Sequence, residues 1–210
     1  QTFKGAIEAC EQSMQLLQVD EIDLYLIHNP FAKENRLELW EAMLELKKQG
    51  KVKHVGVSNY NVKHIKEIEE SGIEMPSANQ IEIHPWHVIP TELAQYMDKH
   101  EILPIAYSTL APIPNWREGS RWNGKPEDMK SGSMPCQDVA DNYNVTVPQL
   151  FLKWAIQLGY PVLPKSVKYD RLKENLELNH FEISREDIKK ISKIAKDNQK
   201  CLAWSGDFDP

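Results

Sequence analysis

Apolar residues along this chain of 210 residues follow two alternating patterns. One has the spacing of three to four residues that amphipathic helices show. The other consists of short runs rich in β-branched and aromatic residues, which are typical of buried strands. The second pattern predicts five strands, at residues 22–28, 52–58, 78–83, 103–108 and 162–165. The first predicts helices over about residues 6–17, 37–48, 62–70, 92–100, 138–143, 148–158, 171–176 and 185–197.

The order of these elements indicates a parallel sheet, because strands separated by helices of about 10–15 residues imply βαβ crossovers. Five strands could form an open doubly wound sheet or part of an eight-stranded barrel. Polar residues stand at the C-terminal end of every predicted strand, as at the mouth of a barrel, where all the βα loops converge. No Gly-x-Gly-x-x-Gly motif follows a strand, which further disfavours a doubly wound dinucleotide fold. The sequence therefore predicts an α/β fold of the (β/α)8 TIM barrel type, with residues 1–210 in a single domain.

The composition is that of a globular protein, with 41% hydrophobic and 27% charged residues. The net charge of -6 argues against nucleic acid as a partner. No apolar run reaches the roughly 18 residues that a membrane helix needs. Cys10, Cys136 and Cys201 lie far apart without metal-ligand spacing, which indicates reduced thiols and a cytoplasmic location. The chain begins inside an amphipathic helix without Met or a leading strand, so we expect it to start in the middle of a domain.

The first predicted strand delivers a histidine, His28, to its C-terminal end, and Pro30 then stops the strand. Functional groups collect at this end of parallel strands, where the following loop opens. A histidine there can titrate near neutral pH or donate a neutral N–H group to a substrate oxygen. The alternative is a core histidine bonded to a neighbouring carbonyl, and this segment alone does not decide between the two.

Basic residues cluster where the last predicted strand ends. Lys165 and Ser166 close the strand, and Arg171 lies in the first turn of the following helix. A helix N-terminus favours phosphate, Lys165 adds a point charge, and the guanidinium of Arg171 suits bidentate phosphate binding. Glu174 and Asn175 share a helix face with Arg171 and could bond an adenine amino group. The alternative is an ordinary solvated, lysine-rich face.

Small polar side chains end the second and third predicted strands. Ser58, Asn59 and Gln80 together could hold a carboxamide such as that of nicotinamide. Tyr107, at the end of the next strand, could stack its ring on a planar cofactor. Taken singly, each is more often a turn residue, a helix cap or a satisfied core polar group. Their coincidence at neighbouring strand ends favours a cofactor site.

Two further sets of residues are ambiguous. His84 and His87 have a spacing that metal sites use, but no thiolate or carboxylate partner at suitable spacing accompanies them, so we expect no metal. Trp116, Trp122 and Trp204 could line an apolar substrate pocket or simply anchor loops.

Several motifs, in this order along essentially the whole chain, resemble those of the aldo-keto reductases. They are Ile22–Pro30, Gly56–Tyr60, Asn79–Glu82 with His84-Pro85, Ala106–Ser108, and Pro164–Val167 followed by Arg171, Glu174 and Asn175. The resemblance implies a (β/α)8 barrel that reduces aldehydes and ketones to alcohols by hydride transfer from NADPH. It also implies a small-molecule carbonyl substrate and a protein that is monomeric when complete.

The resemblance assigns a role to individual residues. His28 matches the active-site histidine that orients the substrate carbonyl. The implied NADP(H)-binding residues are Ser58, Asn59, Gln80, Tyr107, Ser108, Leu110, Lys165, Ser166, Val167, Arg171, Glu174 and Asn175. Lys168 and Asn29 depart from the residues common in the family, which leaves open a phosphate contact at position 168 and the shape of the pocket wall.

The resemblance also implies that part of the family pattern is missing. The family's acid tyrosine, with the aspartate and lysine that tune it, comes from strands that precede the present residue 1. The chain thus resembles the C-terminal two-thirds of a reductase, the last five strands of an incomplete barrel, and we expect these residues alone to be inactive. Two other functions stay open: a non-catalytic, NADP(H)-binding, redox-sensing regulatory subunit, and a barrel that binds a sugar phosphate.

Overall fold

The computed structural model describes residues 2–111, 113, 135–198 and 201–203, the side chains of 195–198 excepted. The strands are β1 (Ile22–Ile27), β2 (Val52–Ser58), β3 (Ala78–Glu82) and β4 (Leu103–Tyr107). The helices are α1 (Phe3–Leu17), α2 (Arg36–Lys48), α3 (Val62–Ser71), α4 (Thr91–Lys99), α5 (Gln137–Asn142), α6 (Val147–Gln157), α7 (Tyr169–Leu176) and α8 (Arg185–Asn198). One turn of 3-10 helix, Lys33–Asn35, precedes α2.

The described chain divides into two compact units. The first holds residues 2–81 and 90–104, and the second holds residues 82–89 and the described residues from 105 to 203. The expectation of a single domain over residues 1–210 stays a prediction.

The first unit contains β1, β2 and β3 up to Ile81 as parallel strands in the order in which they occur in the chain. Ser58 at the end of β2 pairs with Gln80 in β3. The start of β4 joins the same edge, since Leu103 N donates to Ser77 O over 3.0 Å. This confirms the parallel α/β arrangement that the alternation of helices and strands predicts.

Helix α2 covers this sheet with an apolar face. Leu39, Met43 and Leu46 recur at helical spacing and are buried. Trp40 is fully buried as well, and its indole N–H donates to Glu74 O over 2.8 Å. Burial of such side chains stabilises the unit by roughly 1.5–3 kcal/mol each.

Local signals account for the ends of the helices. Helix α3 begins at a capping box in which Asn61 accepts from His64 N, and it ends at Gly72, whose φ of 72° is left-handed. Helix α6 begins at a second capping box, between Thr146 and Gln149. These caps explain why the predicted and observed bounds of both helices agree within about two residues.

The core of the second unit is formed around α6. Leu150, Phe151 and Trp154 have no exposed surface. The Trp86 ring meets Phe151 edge to face, with 6.1 Å between the ring centroids. The indole N–H of Trp154 donates to Ser192 Oγ on α8 over 3.0 Å, so this large buried side chain has its polar atom satisfied.

The fifth predicted strand, 162–165, is wrong as a strand. Only Val162 pairs, as an isolated parallel bridge to Ala106. Ala106 N donates to Pro161 O over 2.8 Å, and Leu163 N donates to Ala106 O over 3.2 Å. Pro161 has no N–H to extend the ladder before this bridge. Beyond it, β4 ends at Tyr107, and Ser108 turns into a left-handed conformation with a φ of 55°, so the later residues of the apolar run have no partner strand.

Some predicted features cannot be compared with the structure. The long loop predicted over 111–133 lies almost entirely outside the described residues, and so do Trp116, Trp122 and Trp204. Among the helices that are described, none has the length and apolar character needed to traverse a bilayer.

The sheet of the first unit requires glycine at position 56. A Cβ atom there would lie 2.7 Å from Ala78 O and 2.7 Å from Leu26 Cδ2, so β1 and β3 approach β2 too closely for a side chain. We expect Gly56→Ala to lower the free energy of unfolding by about 1–3 kcal/mol, the usual effect of overpacking. Urea denaturation measures this, with Lys53→Ala, an exposed change on the same strand, as the control. Equal stability of the two variants would contradict the close approach of these strands.

Candidate active site

His28 follows β1 directly and is exposed, so the alternative of a core histidine is wrong. It lies in a groove of about 440 Å³ formed by α1, the end of β1 and α2. Tyr25, Asn29 and Phe31 line the groove beside it. An exposed imidazole in a groove can donate to a bound molecule.

A hydrogen-bonded tie joins His28 to the end of β2 and to Gln80 within β3. The side-chain amide of Asn59 donates from Nδ2 to His28 O over 3.3 Å, and its main-chain N–H donates to Gln80 O over 3.0 Å. Ser58 Oγ donates to the same Gln80 O over 2.9 Å and accepts from Asn59 Nδ2 over 3.1 Å. The structure thus brings together four of the predicted site residues, His28, Ser58, Asn59 and Gln80.

The tie depends on an unusual backbone conformation. Asn59 has a φ of 61°, in the left-handed region that asparagine tolerates better than most residues. Ser58 and Asn59 are buried, and their donors serve main-chain carbonyls. Their predicted contact with a carboxamide therefore stays a prediction, and the geometry shows a second role for both residues in fixing the strand ends.

In the second unit, the residues after β4 form a tight turn. Tyr107 is half-buried, and its carbonyl accepts from Ile83 N over 3.2 Å. Ser108 has a left-handed φ of 55°, and its carbonyl accepts from Ala111 N over 2.8 Å. Leu110 is half-buried in this turn. These contacts place the three predicted cofactor residues of this segment at the C-terminal end of β4.

The predicted phosphate-binding residues lie before and within α7. Lys165, Val167 and Arg171 are exposed, and Val167 is 90% exposed. Ser166 Oγ accepts from Lys168 N over 3.1 Å, which shapes the turn that leads into the helix. The helix begins at Tyr169, two residues before the predicted start. Within the described residues, neither Lys165 nor Arg171 forms a hydrogen bond or an ion pair, so both cations can meet an anion.

The two predicted adenine contacts have protein surroundings of their own. The Glu174 carboxylate accepts a hydrogen bond from the Thr146 hydroxyl. Asn175 is only 8% exposed, whereas Arg171, one turn earlier, is exposed. Helical spacing places Arg171 and Asn175 near each other, but it does not reveal that α7 buries one of them. Their contact with an adenine ring stays a prediction.

Comparison with known proteins identifies the family. The family model described as "Aldo/keto reductase family" matches residues 2–196. The chain belongs to the aldo/keto reductase family. This confirms both the resemblance found in the sequence motifs and the predicted fold class.

Named relatives of this aldo/keto reductase chain include two bacterial reductases. It is 34% identical over 199 residues to the glyoxal reductase of Bacillus subtilis (strain 168). The match covers 95% of this chain and 66% of that protein. It is 34% identical over 190 residues to the methylglyoxal reductase DkgA of Escherichia coli (strain K12). That match covers 89% of this chain and 63% of DkgA. The chain thus spans a little under two thirds of the length of these relatives.

Solved structures of the family share the fold of the aldo/keto reductase chain. Gox0644 in its apo form superposes with a TM-score of 0.81 at 30% identity, over 97% of this chain and 69% of that one. The Bombyx mori aldo-keto reductase AKR2E4, crystallised in complex with NADP, superposes with a TM-score of 0.78 at 28% identity, over 92% of this chain and 64% of that one.

One residue of the aldo/keto reductase chain has a role that its sequence does not reveal. Glu82, at the end of β3, has no exposed surface and accepts from residues about 120 positions further along the chain. Leu202 N donates to its carboxylate over 2.6 Å, Ala203 N over 2.9 Å and Cys201 Sγ over 2.8 Å. His84 Nε2 lies 2.9 Å from the same carboxylate. Glu82 therefore anchors the segment 201–203.

The protonation states of this anchor follow from its hydrogen bonds. Trp86 N donates to His84 Nδ1 over 3.2 Å, so the proton of a neutral His84 lies on Nε2 and is donated to Glu82. Burial lowers the pKa of His84 and keeps the ring neutral. Burial alone would raise the pKa of Glu82, but hydrogen bonds from His84, Cys201 and Leu202 N bring it down to about 2. The carboxylate is thus a buried anion held by neutral donors.

The histidine pair near this anchor has hydrogen-bond partners within the protein. His84 and His87 exchange main-chain hydrogen bonds, and His87 Nδ1 lies 2.9 Å from Glu82 O. Among the side chains that the structure describes, no three histidine, cysteine, aspartate or glutamate groups converge as metal ligands.

The anchor makes stability depend on pH in a defined direction. The folded carboxyl group titrates at about 2, against an ordinary value of 4.5, so the ionised form is favoured by folding. Its contribution is complete above the ordinary value and is lost as the pH falls towards 2. We expect wild-type protein to lose about 2 kcal/mol more than Glu82→Gln between about pH 6 and about pH 3.

Urea denaturation at several pH values measures this difference. Glu186→Gln, at an exposed position of the same unit, is the control and should keep the wild-type pH dependence. If Glu82→Gln lost stability on acidification as steeply as wild type, Glu82 would not be the titrating group.

Proposed function

We propose that the protein containing this chain reduces small aldehydes or ketones to alcohols with NADPH. The observation that carries the proposal is the exposed His28 at a strand end, with its main chain fixed by Asn59 and its side chain in a groove. Two relatives are named as reductases of glyoxal and methylglyoxal, which supports small reactive carbonyl compounds as the substrate class.

NADP(H) is the cofactor that the chain's own residues fit. Lys165 and Arg171 are exposed cations at the start of α7 in a chain of net charge -6. A 2′-phosphate is the group of NADPH that such a pair would bind, and NADH lacks it. The crystal structures of AKR2E4 with NADP and of a Gox0644 variant with NADPH also support this cofactor. When bound, NADPH supplies a hydride to the carbonyl carbon.

The imidazole of His28 would orient the substrate. Its N–H group can donate to the carbonyl oxygen, which directs the carbonyl carbon towards the hydride donor and stabilises negative charge that develops on the oxygen. The alcohol also needs a proton at that oxygen. The resemblance assigns this proton to a tyrosine that none of the matched positions supplies, and the inactivity of these 210 residues by themselves stays a prediction.

Cofactor choice tests the phosphate assignment. We expect Arg171→Ala to weaken NADPH binding by about 1–3 kcal/mol, since one charge-assisted contact is removed, and to leave NADH binding almost unchanged. Isothermal titration calorimetry measures both. Lys173→Ala, an exposed change on the same helix, is the control and should bind like wild type. An unchanged affinity of Arg171→Ala for NADPH would contradict the assignment, and preference for a sugar phosphate would favour the phosphate-binding barrel.

Turnover tests the role of His28. We expect His28→Ala to lower the rate of methylglyoxal reduction by about 10²-fold or more, as for loss of a group that acts on the reacting oxygen, with little change in NADPH affinity. His54→Ala, an exposed histidine on β2, is the control. Equal losses of turnover and cofactor affinity would count against the proposed role. Tight NADPH binding by the whole protein without any carbonyl turnover would favour the regulatory subunit.

A further inference from the structure

The loop that carries His28 is held at two main-chain carbonyls. His28 O accepts from Asn59 Nδ2 over 3.3 Å, as described above. Two residues later, Pro30 O accepts from Arg36 Nη1 over 3.1 Å. Between them, Asn29 Oδ1 accepts from Phe31 N over 3.1 Å and so closes a local turn. The path of the chain from His28 to Pro30 is therefore fixed from β2 on one side and from α2 on the other.

Arg36 is itself fixed by a bidentate ion pair. Its Nε donates to Glu67 Oε2 over 2.8 Å, and its Nη2 donates to Glu67 Oε1 over 2.6 Å. The two side chains are only 13% and 31% exposed. The hydrogen bonds raise the pKa of Arg36 and lower that of Glu67, so both groups remain charged. Glu67 lies on α3, and the pair thus connects α3 through Arg36 to the loop after β1.

An arginine at the start of α2 does not stabilise the helix itself. Arg36 is the first residue of α2, where the helix dipole disfavours a cation. A guanidinium can nevertheless bind two partners here. Its planar group donates two N–H groups to a carboxylate and a third N–H to a carbonyl. A lysine ammonium cannot reproduce this fork.

We propose that Arg36 is a positioning residue for His28, acting through Pro30 O, and that Glu67 orients Arg36. The inference rests on the proposed function, since the position of the His28 loop affects turnover only if His28 acts on the substrate. Without Arg36, the carbonyl of the buried Pro30 loses this donor and the loop can relax. A shift of about 1 Å in a group that orients substrate is enough to slow turnover by up to about 10²-fold.

The test compares Arg36→Met, Arg36→Lys and Glu67→Gln with Lys47→Met. Lys47 lies on the same helix and pairs at the surface with Glu74, so its variant removes an ion pair without touching the His28 loop. Two quantities are measured: kcat and KM for methylglyoxal in the whole protein, and the rate at which diethylpyrocarbonate modifies His28, followed by peptide mass spectrometry. The exposed His54 and His180 are internal references for the chemical reaction.

We expect Arg36→Met to lower kcat by about tenfold with KM and NADPH affinity within about twofold of wild type. The modification rate of His28 should change by about threefold or more, while His54 and His180 keep theirs. Arg36→Lys and Glu67→Gln should lie between Arg36→Met and wild type. Arg36→Lys keeps a cation at this position, and Glu67→Gln keeps the arginine donor to Pro30 O. Lys47→Met should resemble wild type in both measurements.

An unchanged His28 modification rate in folded Arg36→Met would overturn the proposal and leave the ion pair a purely structural contact. If Arg36→Met fails to fold, Arg36→Lys and Glu67→Gln decide, and wild-type values in both would overturn it. If the wild-type protein shows no carbonyl turnover, the proposed function fails, but a changed modification rate at His28 would still support the positioning role.

Discussion

The geometry of the candidate site depends on one residue in a left-handed conformation, Asn59. Its main-chain N–H donates to Gln80 O within β3, and its side-chain amide donates to His28 O, directly after β1. A right-handed or extended backbone at this position would direct the amide elsewhere, and β1 would lose its link to β2 beyond the last paired residues. The φ of 61° therefore sets how the ends of three parallel strands lie relative to one another.

Strand ends need such a link because their last carbonyls extend past the ladder. A buried carbonyl without a donor costs about 1–3 kcal/mol. Ser58 and Asn59 meet this need at His28 O and Gln80 O. The same side chains are those that the sequence identifies as candidates for binding a carboxamide. A ligand amide at this edge would compete with main-chain carbonyls for the same donors.

Local patterns in the sequence predict most of the fold because helices and strands begin and end at local signals. Strand β2 has the predicted bounds, and α3 lies between its Asn61 cap and Gly72. The failure at 162–165 has a physical cause, because Pro161 precedes the single bridge at Val162 and the partner strand β4 ends at Tyr107, before the left-handed Ser108. The sequence motifs also identify the residues of the candidate site, whose role in binding and catalysis stays a prediction.

Contacts between residues far apart in the chain were not predictable from the sequence. Nothing in the pattern around Arg36 indicates Glu67, and nothing around Glu82 indicates Leu202 or Ala203. The two acidic residues also show that the charge of a side chain does not predict its burial or its partners. Glu67 is partly exposed and paired with a cation, whereas Glu82 is buried and accepts from His84, Cys201 and the main chain of 202–203.

That difference determines what each acidic residue can control. An ion pair between two side chains places a donor in a chosen direction, and Arg36 uses its remaining N–H to hold Pro30 O. Glu82 instead accepts hydrogen bonds from the segment 201–203 and so holds that segment at the end of β3. Trp86 N fixes the tautomer of His84, and with it the donor that faces the anion. The carboxylate at the end of β3 therefore stays ionised at any pH well above 2, and burial, which lowers the pKa of His84, keeps its ring a neutral donor at neutral pH.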